Sequence, residues 1–331
     1  MRVVTFGEVL IDMFPAEVGR RLVEVSAFRP KPGGAPANVA VAARRLGADS
    51  AFIGKVGDDA FGAFLIEVLR REGVETRGMR IDPEARTTMA IIALPDPNTA
   101  EFVFYRNPGA DHRLRPDELD ADLIRGARAF HFGSLSLTDE PARSATYEAV
   151  RLAREGGALV SYDVNYRPTL WKEPRLALEQ AQAMLPHVNL LKVNEKELAL
   201  LAGREAVNET DHAGLGEAAQ TLLEKGPELV VATLGQHGSY FQAAAGGEFV
   251  PPFRVETVDA TGCGDAFVAG LLTQLTADED WRAHLALDRL RQSVRYANAV
   301  GALTALTLGV IPALPYAEQV SAFLSQAGTQ R

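Results

Sequence analysis

The residue types best able to do chemistry sit together near the C-terminal end, in the string Asp259-Ala260-Thr261-Gly262-Cys263-Gly264-Asp265. An apolar run over residues 266–272 follows and reads as a helix. Two glycines before a helix let backbone approach an anion closely. The first amides of that helix lack intrahelical acceptors and lie at the positive end of its dipole. Asp265 falls in the first turn, where a carboxylate can take a proton from a hydroxyl while the amides hold a transferring phosphoryl group. A capped helix behind a glycine-rich turn would explain one Gly and one Asp, but not the whole string. Cys263 reads either as a tolerated small residue in a tight turn or as a thiol activated by the helix N-terminus. The first reading is preferred.

Two weaker signals lie upstream. Thr233-Leu234-Gly235-Gln236-His237-Gly238 closes a strand-like run and suits a loop beneath nucleotide phosphates, although hairpins use the same residues. Asn194-Glu195-Lys196-Glu197 follows another such run. Glu197 there could orient Mg²⁺ through waters, or simply be the acidic first turn of an Asn-capped helix.

Elements that would position these residues follow a regular rhythm. Residues 3–6, 51–53, 129–132, 159–162, 190–193 and 229–233 read as buried strands. Residues 35–46, a segment capped by Asp58-Asp59 and ending at Gly73, and residues 142–155, 176–184, 195–201 and 217–224 read as helices. This alternation predicts an α/β fold whose parallel sheet is covered on both faces. Loose alternation over residues 9–25, and two strand-like runs over 87–94 and 101–105 joined through Pro95-Asp96-Pro97-Asn98, break the rhythm. They predict a discontinuous β lid inserted in one large domain.

Composition narrows the class. With 43 acidic against 34 basic residues in 331, the formal charge of −9 argues against a nucleic-acid partner. No apolar run is long enough to cross a bilayer, and Met1-Arg2-Val3-Val4 leads into a strand, not a signal sequence. One cysteine fits a reducing cytoplasm, and no HExxH or CxxC spacing suggests zinc. A G-x-x-x-x-G-K-[ST] loop is missing, and Gly7 is not followed by the glycine cluster of a dinucleotide site.

Taken in order, Gly33-Gly34-Ala35-Pro36-Ala37-Asn38, Gly54-Lys55-Val56-Gly57-Asp58-Asp59 and the D-x-T-G-x-G-D string resemble the ribokinase-like, PfkB-type sugar kinases over essentially the whole chain. The resemblance implies a three-layer α/β/α core with a mostly parallel sheet and a small β-sheet lid, covering residues 9–33 and 87–106. It also implies MgATP as donor, a sugar hydroxyl as acceptor, Asp265 as proton acceptor and the 262–264 amides as anion hole. Carried over residue by residue, Asp12 would grip sugar hydroxyls with Gly33, Gly34 and Asn38 beside it. Asn194, Thr233, Gly235, Gly238 and Asn298 would lie along ATP, with Gly262 and Gly264 at its phosphates. Asp259, Thr261 and the carbonyl of Gly309 would offer a site for K⁺.

Gly33 through Ala40, together with Phe104-Tyr105-Arg106-Asn107-Pro108-Gly109-Ala110-Asp111, is most similar to fructokinases. The segment Asp163 to Trp171 is similar both to fructokinases and to 2-keto-3-deoxygluconate kinases, where arginines matching Arg106 and Arg167 hold a substrate carboxylate. D-fructose is the preferred acceptor and the acidic sugar the alternative. A non-catalytic sugar- or nucleotide-sensing protein on the same fold is the reading from another class. The uncovered face of the lid predicts a homodimer.

Overall fold

A computed structural model of the protein describes residues 2–96 and 99–328. Among the described residues, thirteen strands form two sheets. They are β1 (Val3–Phe6), β2 (Leu10–Pro15), β3 (Phe28–Gly33), β4 (Ser50–Gly57), β5 (Met79–Asp82), β6 (Met89–Asp96), β7 (Thr99–Tyr105), β8 (Ala129–Gly133), β9 (Leu159–Asp163), β10 (Leu190–Asn194), β11 (Leu229–Thr233), β12 (Ser239–Ala243) and β13 (Gly246–Val250). Nine of them make one sheet in the order β13-β12-β11-β10-β9-β8-β1-β4-β5. Every neighbouring pair from β11 to β5 is parallel, and the β11–β12 and β12–β13 pairs at one edge are antiparallel.

Strand alternation feeds two apolar layers, because successive side chains leave opposite faces of a sheet. Val3 and Phe52 enter the layer made with helices Ala35–Arg45, Ala60–Arg71, Cys263–Leu275 and Leu287–Thr304. Val4, Ala51 and Ile53 enter the other, made with Ala142–Glu155, Pro174–Met184, Glu195–Ala202 and His212–Leu223. Helix starts follow local chemistry. Asp59 accepts the Gly62 N–H at 2.9 Å, and Asn194 accepts those of Lys196 and Glu197 at 3.0 and 2.9 Å. The helix expected over 217–224 begins at His212 instead, since Asp211 caps it through Gly214 N and two glycines blur its periodicity.

The second sheet has the order β3-β2-β6-β7. The β6–β7 pair is antiparallel, as its alternation predicts; Pro97 and Asn98 of the expected turn lie outside the described residues. β3 carries Pro30 and Pro32, whose missing N–H groups are tolerated because it is an edge strand. β2 and β6 pair in parallel, which joins two stretches distant in sequence into one layer.

Candidate active site

The carboxyl ends of β1, β8, β9 and β10 open onto one cleft of about 300 Å³, as expected for ligand sites in parallel α/β sheets. Its floor is the start of helix Cys263–Leu275. Gly262 caps that helix with φ +78°, and an added Cβ there would come within 2.2 Å of Val310 Cγ1. Only glycine fits both the left-handed backbone and the contact. Among the described residues no protein acceptor meets the N–H of Gly262 or Gly264, so both are free for an anion. The third expected donor differs: the Cys263 N–H closes a turn onto the Ala260 carbonyl at 3.3 Å.

Asp265 is 9% exposed, and Asn38 Nδ2 donates to its Oδ2 at 2.8 Å. Burial pushes its carboxyl up to about 7. The bond from Asn38 opposes this, Asp163 adds to it, and Lys192 and Arg167 oppose it. Asp12 lines the same cleft and is pushed up to about 8, by burial first and then by the charges of Asp265, Glu8 and Asp259, with Arg167 opposing. Gly33 makes room for it: a Cβ there would lie 1.9 Å from Asp12 Oδ2. Gly34, at φ +106°, passes so near Glu8 that a Cβ would meet its carbonyl at 2.5 Å.

Several site residues escaped the sequence reading. Glu8 accepts the Ala35 N–H at 3.1 Å, capping the Ala35–Arg45 helix from the end of β1, and burial raises it to about 7. Lys192 and Asp163 face each other on β10 and β9 as a buried ion pair at 3.1 Å. A Cβ on Gly264 would come 3.2 Å from Lys192 Nζ, so this ammonium borders the anion hole. Burial lowers its pKa, but Asp163 and then Glu197 outweigh that, and the net shift is upward. A lysine and an aspartate at the ends of otherwise apolar strands were the available signal. From the lid, Phe102 and Phe104 contribute apolar wall, with the Arg167 guanidinium 5.5 Å from the Phe102 ring centroid.

Other expected residues go elsewhere. Arg106 is buried away from the cleft wall, its guanidinium spent on Asp111 at 2.6 Å, the Leu135 carbonyl and Thr138. Glu197 accepts the N–H groups of Asn194 at 2.8 Å and Tyr166 at 2.7 Å, and so serves the capped helix. Thr233 donates to the Val193 carbonyl. Gly235 opens a one-turn helix that Gly238 ends at φ +99°, and Asn298 spans Ser239 and the carbonyls of Val250 and Pro251. These residues shape the wall beside β11 and β12. Asp259, Thr261 and Gly309 do meet, but through donors: Asp259 accepts Thr261 N–H and Gly309 N–H, each at 2.9 Å. The carbonyl of neighbouring Leu308 is taken by Lys31 Nζ at 3.0 Å. Cys263 is no activated thiol, since burial and then Asp259 and Asp265 push it up to about 12.

Residues 1–317 match the pfkB family carbohydrate kinase profile. The chain belongs to that family. Among PfkB relatives, probable fructokinase-2 of Arabidopsis thaliana is 44% identical over 322 residues, covering 97% of this chain and 95% of the relative. Fructokinase from Xylella fastidiosa, solved with bound ATP, superposes with a TM-score of 0.87 at 32% identity over 98% of this chain and 99% of its own. Aminoimidazole riboside kinase from Salmonella enterica gives 0.83 at 32%, over 98% and 100%. A PfkB kinase is a phosphotransferase with an alcohol acceptor, and the Asp265 cleft has the layout for that chemistry. No described helix is long and apolar enough to cross a membrane.

Proposed function

We propose that this chain transfers the γ-phosphoryl group of ATP to the C6 hydroxyl of D-fructose, giving fructose 6-phosphate. One observation carries the reading: a buried carboxyl, Asp265, held by Asn38 within the first turn of a helix whose cap and second amides are unpartnered. Asp12, across the cleft, accepts from sugar hydroxyls, with Gly33, Gly34 and Asn38 beside it. Asp265 takes the proton of the reacting hydroxyl as its oxygen attacks phosphorus in line. The N–H groups of Gly262 and Gly264 receive the developing charge, and Lys192 adds a positive field from the floor. A value near 7 suits such a base, which must be ionised to act yet basic enough to accept. Thr233, Gly235, Gly238, Asn194 and Asn298 shape the nucleotide side. Bound with ATP, Mg²⁺ would supply charge neutralisation at the phosphates, and no group of three or more acidic or histidine side chains among the described residues is arranged to hold it directly.

Fructose is favoured over 2-keto-3-deoxygluconate because a carboxylate clamp needs both arginines and only Arg167 lines the cleft. The relatives named as fructokinases, matched over nearly their whole length, point the same way. The lid formed by residues 9–33 and 87–106 closes over the sugar and excludes water. Phe102 and Phe104 face the cleft, so Val103 and Tyr105 leave the opposite face, 42% and 58% exposed. That face is where a second copy would pair. A cytoplasmic setting agrees with the single free cysteine. The test is ADP release in a coupled assay on fructose, 2-keto-3-deoxygluconate, ribose and a nucleoside. Turnover on fructose at least ten times that on the others is expected, and preference for another member overturns the assignment.

A further inference from the structure

Asp12, Ala90 and Phe104 lie opposite one another on β2, β6 and β7, a single row across the lid sheet. Residues paired in this way point to the same face, so Phe104 meets the cleft with only the Ala90 methyl between it and Asp12 in the row. Its ring also lines a second cavity, of about 800 Å³, that opens beyond it. Phe102 stacks on Phe104, with centroids 6.0 Å apart and planes at 15°, but borders the cleft alone. Arg106, two positions on, faces the second cavity. Its guanidinium is pinned by Asp111, by Thr138 and by the carbonyl of Leu135, a residue of the cleft. One run of chain serves both spaces: Asn165 and Arg167 line the cleft, Thr169 and Trp171 the cavity.

The second cavity is suited to an uncharged polar guest. Its lysines and arginines each meet a carboxylate at 3.3 Å or less, so none is free to recruit an anion. Trp171 is 7% exposed, and its indole N–H is buried with no acceptor among the described residues. His112 Nε2 is buried and unpartnered in the same way. Buried polar atoms normally have partners. An indole N–H only donates, whereas a neutral imidazole nitrogen accepts, and burial lowers the His112 pKa. A sugar hydroxyl fills both roles, and the Trp171 and Phe104 rings offer apolar surface to a sugar face. We propose that Phe104 is the partition that limits the acceptor to one sugar ring, and that the cavity behind it is a subsite for a second, uncharged ring attached to the one that reacts. The inference rests on the sugar-kinase reading and makes Phe104 a specificity-determining residue. The step itself is unchanged: the acceptor oxygen bonds to phosphorus, the bond to ADP breaks and Asp265 takes the proton.

Sucrose is the probe, because it carries a second ring on a fructose unit whose primary hydroxyls are free. The native full-length chain, Phe104→Ala, and Phe104→Ala combined with Thr169→Trp are assayed with ATP on fructose and on sucrose, with products identified by mass. The native protein should favour fructose by about 100-fold or more in kcat/KM, and Phe104→Ala should raise the value for sucrose about ten-fold while lowering that for fructose. Thr169→Trp fills the second cavity from another wall and should cancel the gain. Binding is read separately. Trp171 lines the cavity, so sucrose should change the fluorescence of Phe104→Ala but not of the native chain, and adding Trp171→Phe should abolish the change. If Phe104→Ala does not fold, Phe104→Val takes its place. A native protein as active on sucrose as on fructose overturns the proposal, as does a Phe104 variant with neither gain nor fluorescence change. So does a gain that survives Thr169→Trp, because the lid would then merely be loosened. Absence of native turnover on fructose would strike the substrate assignment alone, since the fluorescence comparison still reports whether a two-ring sugar enters the cavity.

Discussion

The two walls of the cleft are built on different principles. The wall proposed to hold phosphate is backbone: free amides at a glycine-capped helix, buried beneath a sheet covered on both faces. The wall proposed to hold sugar is side chain: Asp12, Phe102, Phe104 and Arg167, three of them on a small sheet whose other face meets solvent. Backbone donors offer the same geometry whatever the neighbouring side chains, which suits a phosphoryl group common to every turnover. Side chains can be exchanged singly, which suits the choice of acceptor. The division predicts that damage on one wall lowers kcat and damage on the other raises the sugar KM.

The largest expected effect is at the proposed proton acceptor. Asp265→Asn should lower kcat by about 100- to 10,000-fold with ATP binding intact, measured by ADP release and by titration with a non-hydrolysable ATP analogue. Gly262→Ala forces a Cβ to 2.2 Å from Val310 Cγ1 at a positive φ and should cost about 10- to 100-fold in kcat, more than in KM. On the opposite wall, Gly33→Ala drives a Cβ into Asp12 and should raise the fructose KM about ten-fold while sparing that of ATP. An equal rise in both would erase the contrast between the walls.

Acidity sharpens it further. Glu8, Asp12 and Asp265 hold protons up to about 7, 8 and 7. Asp12 and Asp265 both ionise across this range, so kcat/KM for sugar should climb between about pH 6 and pH 8.5. Arg167→Met removes a charge that lowers both values and should move the profile to higher pH. The folded state binds these protons more tightly than the unfolded chain. Stability from them is therefore lost as pH rises from about 4 to about 8. Asp12→Asn should raise Tm at pH 8.5 more than at pH 5, even as it abolishes sugar binding. The smallest effect is at the thiol: Cys263→Ala should keep kcat within two-fold, and iodoacetamide should react slowly near neutrality, given a thiol pushed up to about 12.

Local chemistry was legible in the sequence and distant pairing was not. The cap at Asn194, the glycine-bounded helix bearing Asp265 and the buried strands each depend on residues within a turn or two of one another. Asp163 and Lys192 find each other across 29 positions, and Glu8 reaches Ala35 across 27, so neither pair announces itself in a linear pattern. Arg106 misled in the opposite way. It resembles a substrate ligand by type and position, yet Asp111, five residues on, claims it inside the protein. Glu197 likewise belongs to the capping box begun by Asn194. β3 hid because two prolines mask a strand that pairs only along one edge.

Three residues separate β1 from β2, and Gly34 alone separates β3 from the Ala35–Arg45 helix. The short links joining the two sheets thus carry Glu8 and Gly34 and lie against the cleft. Transplanting the cover from a cousin with another diet would import foreign joints along with foreign contacts. New tastes should come more easily by repainting Phe102 or Phe104 than by swapping the module.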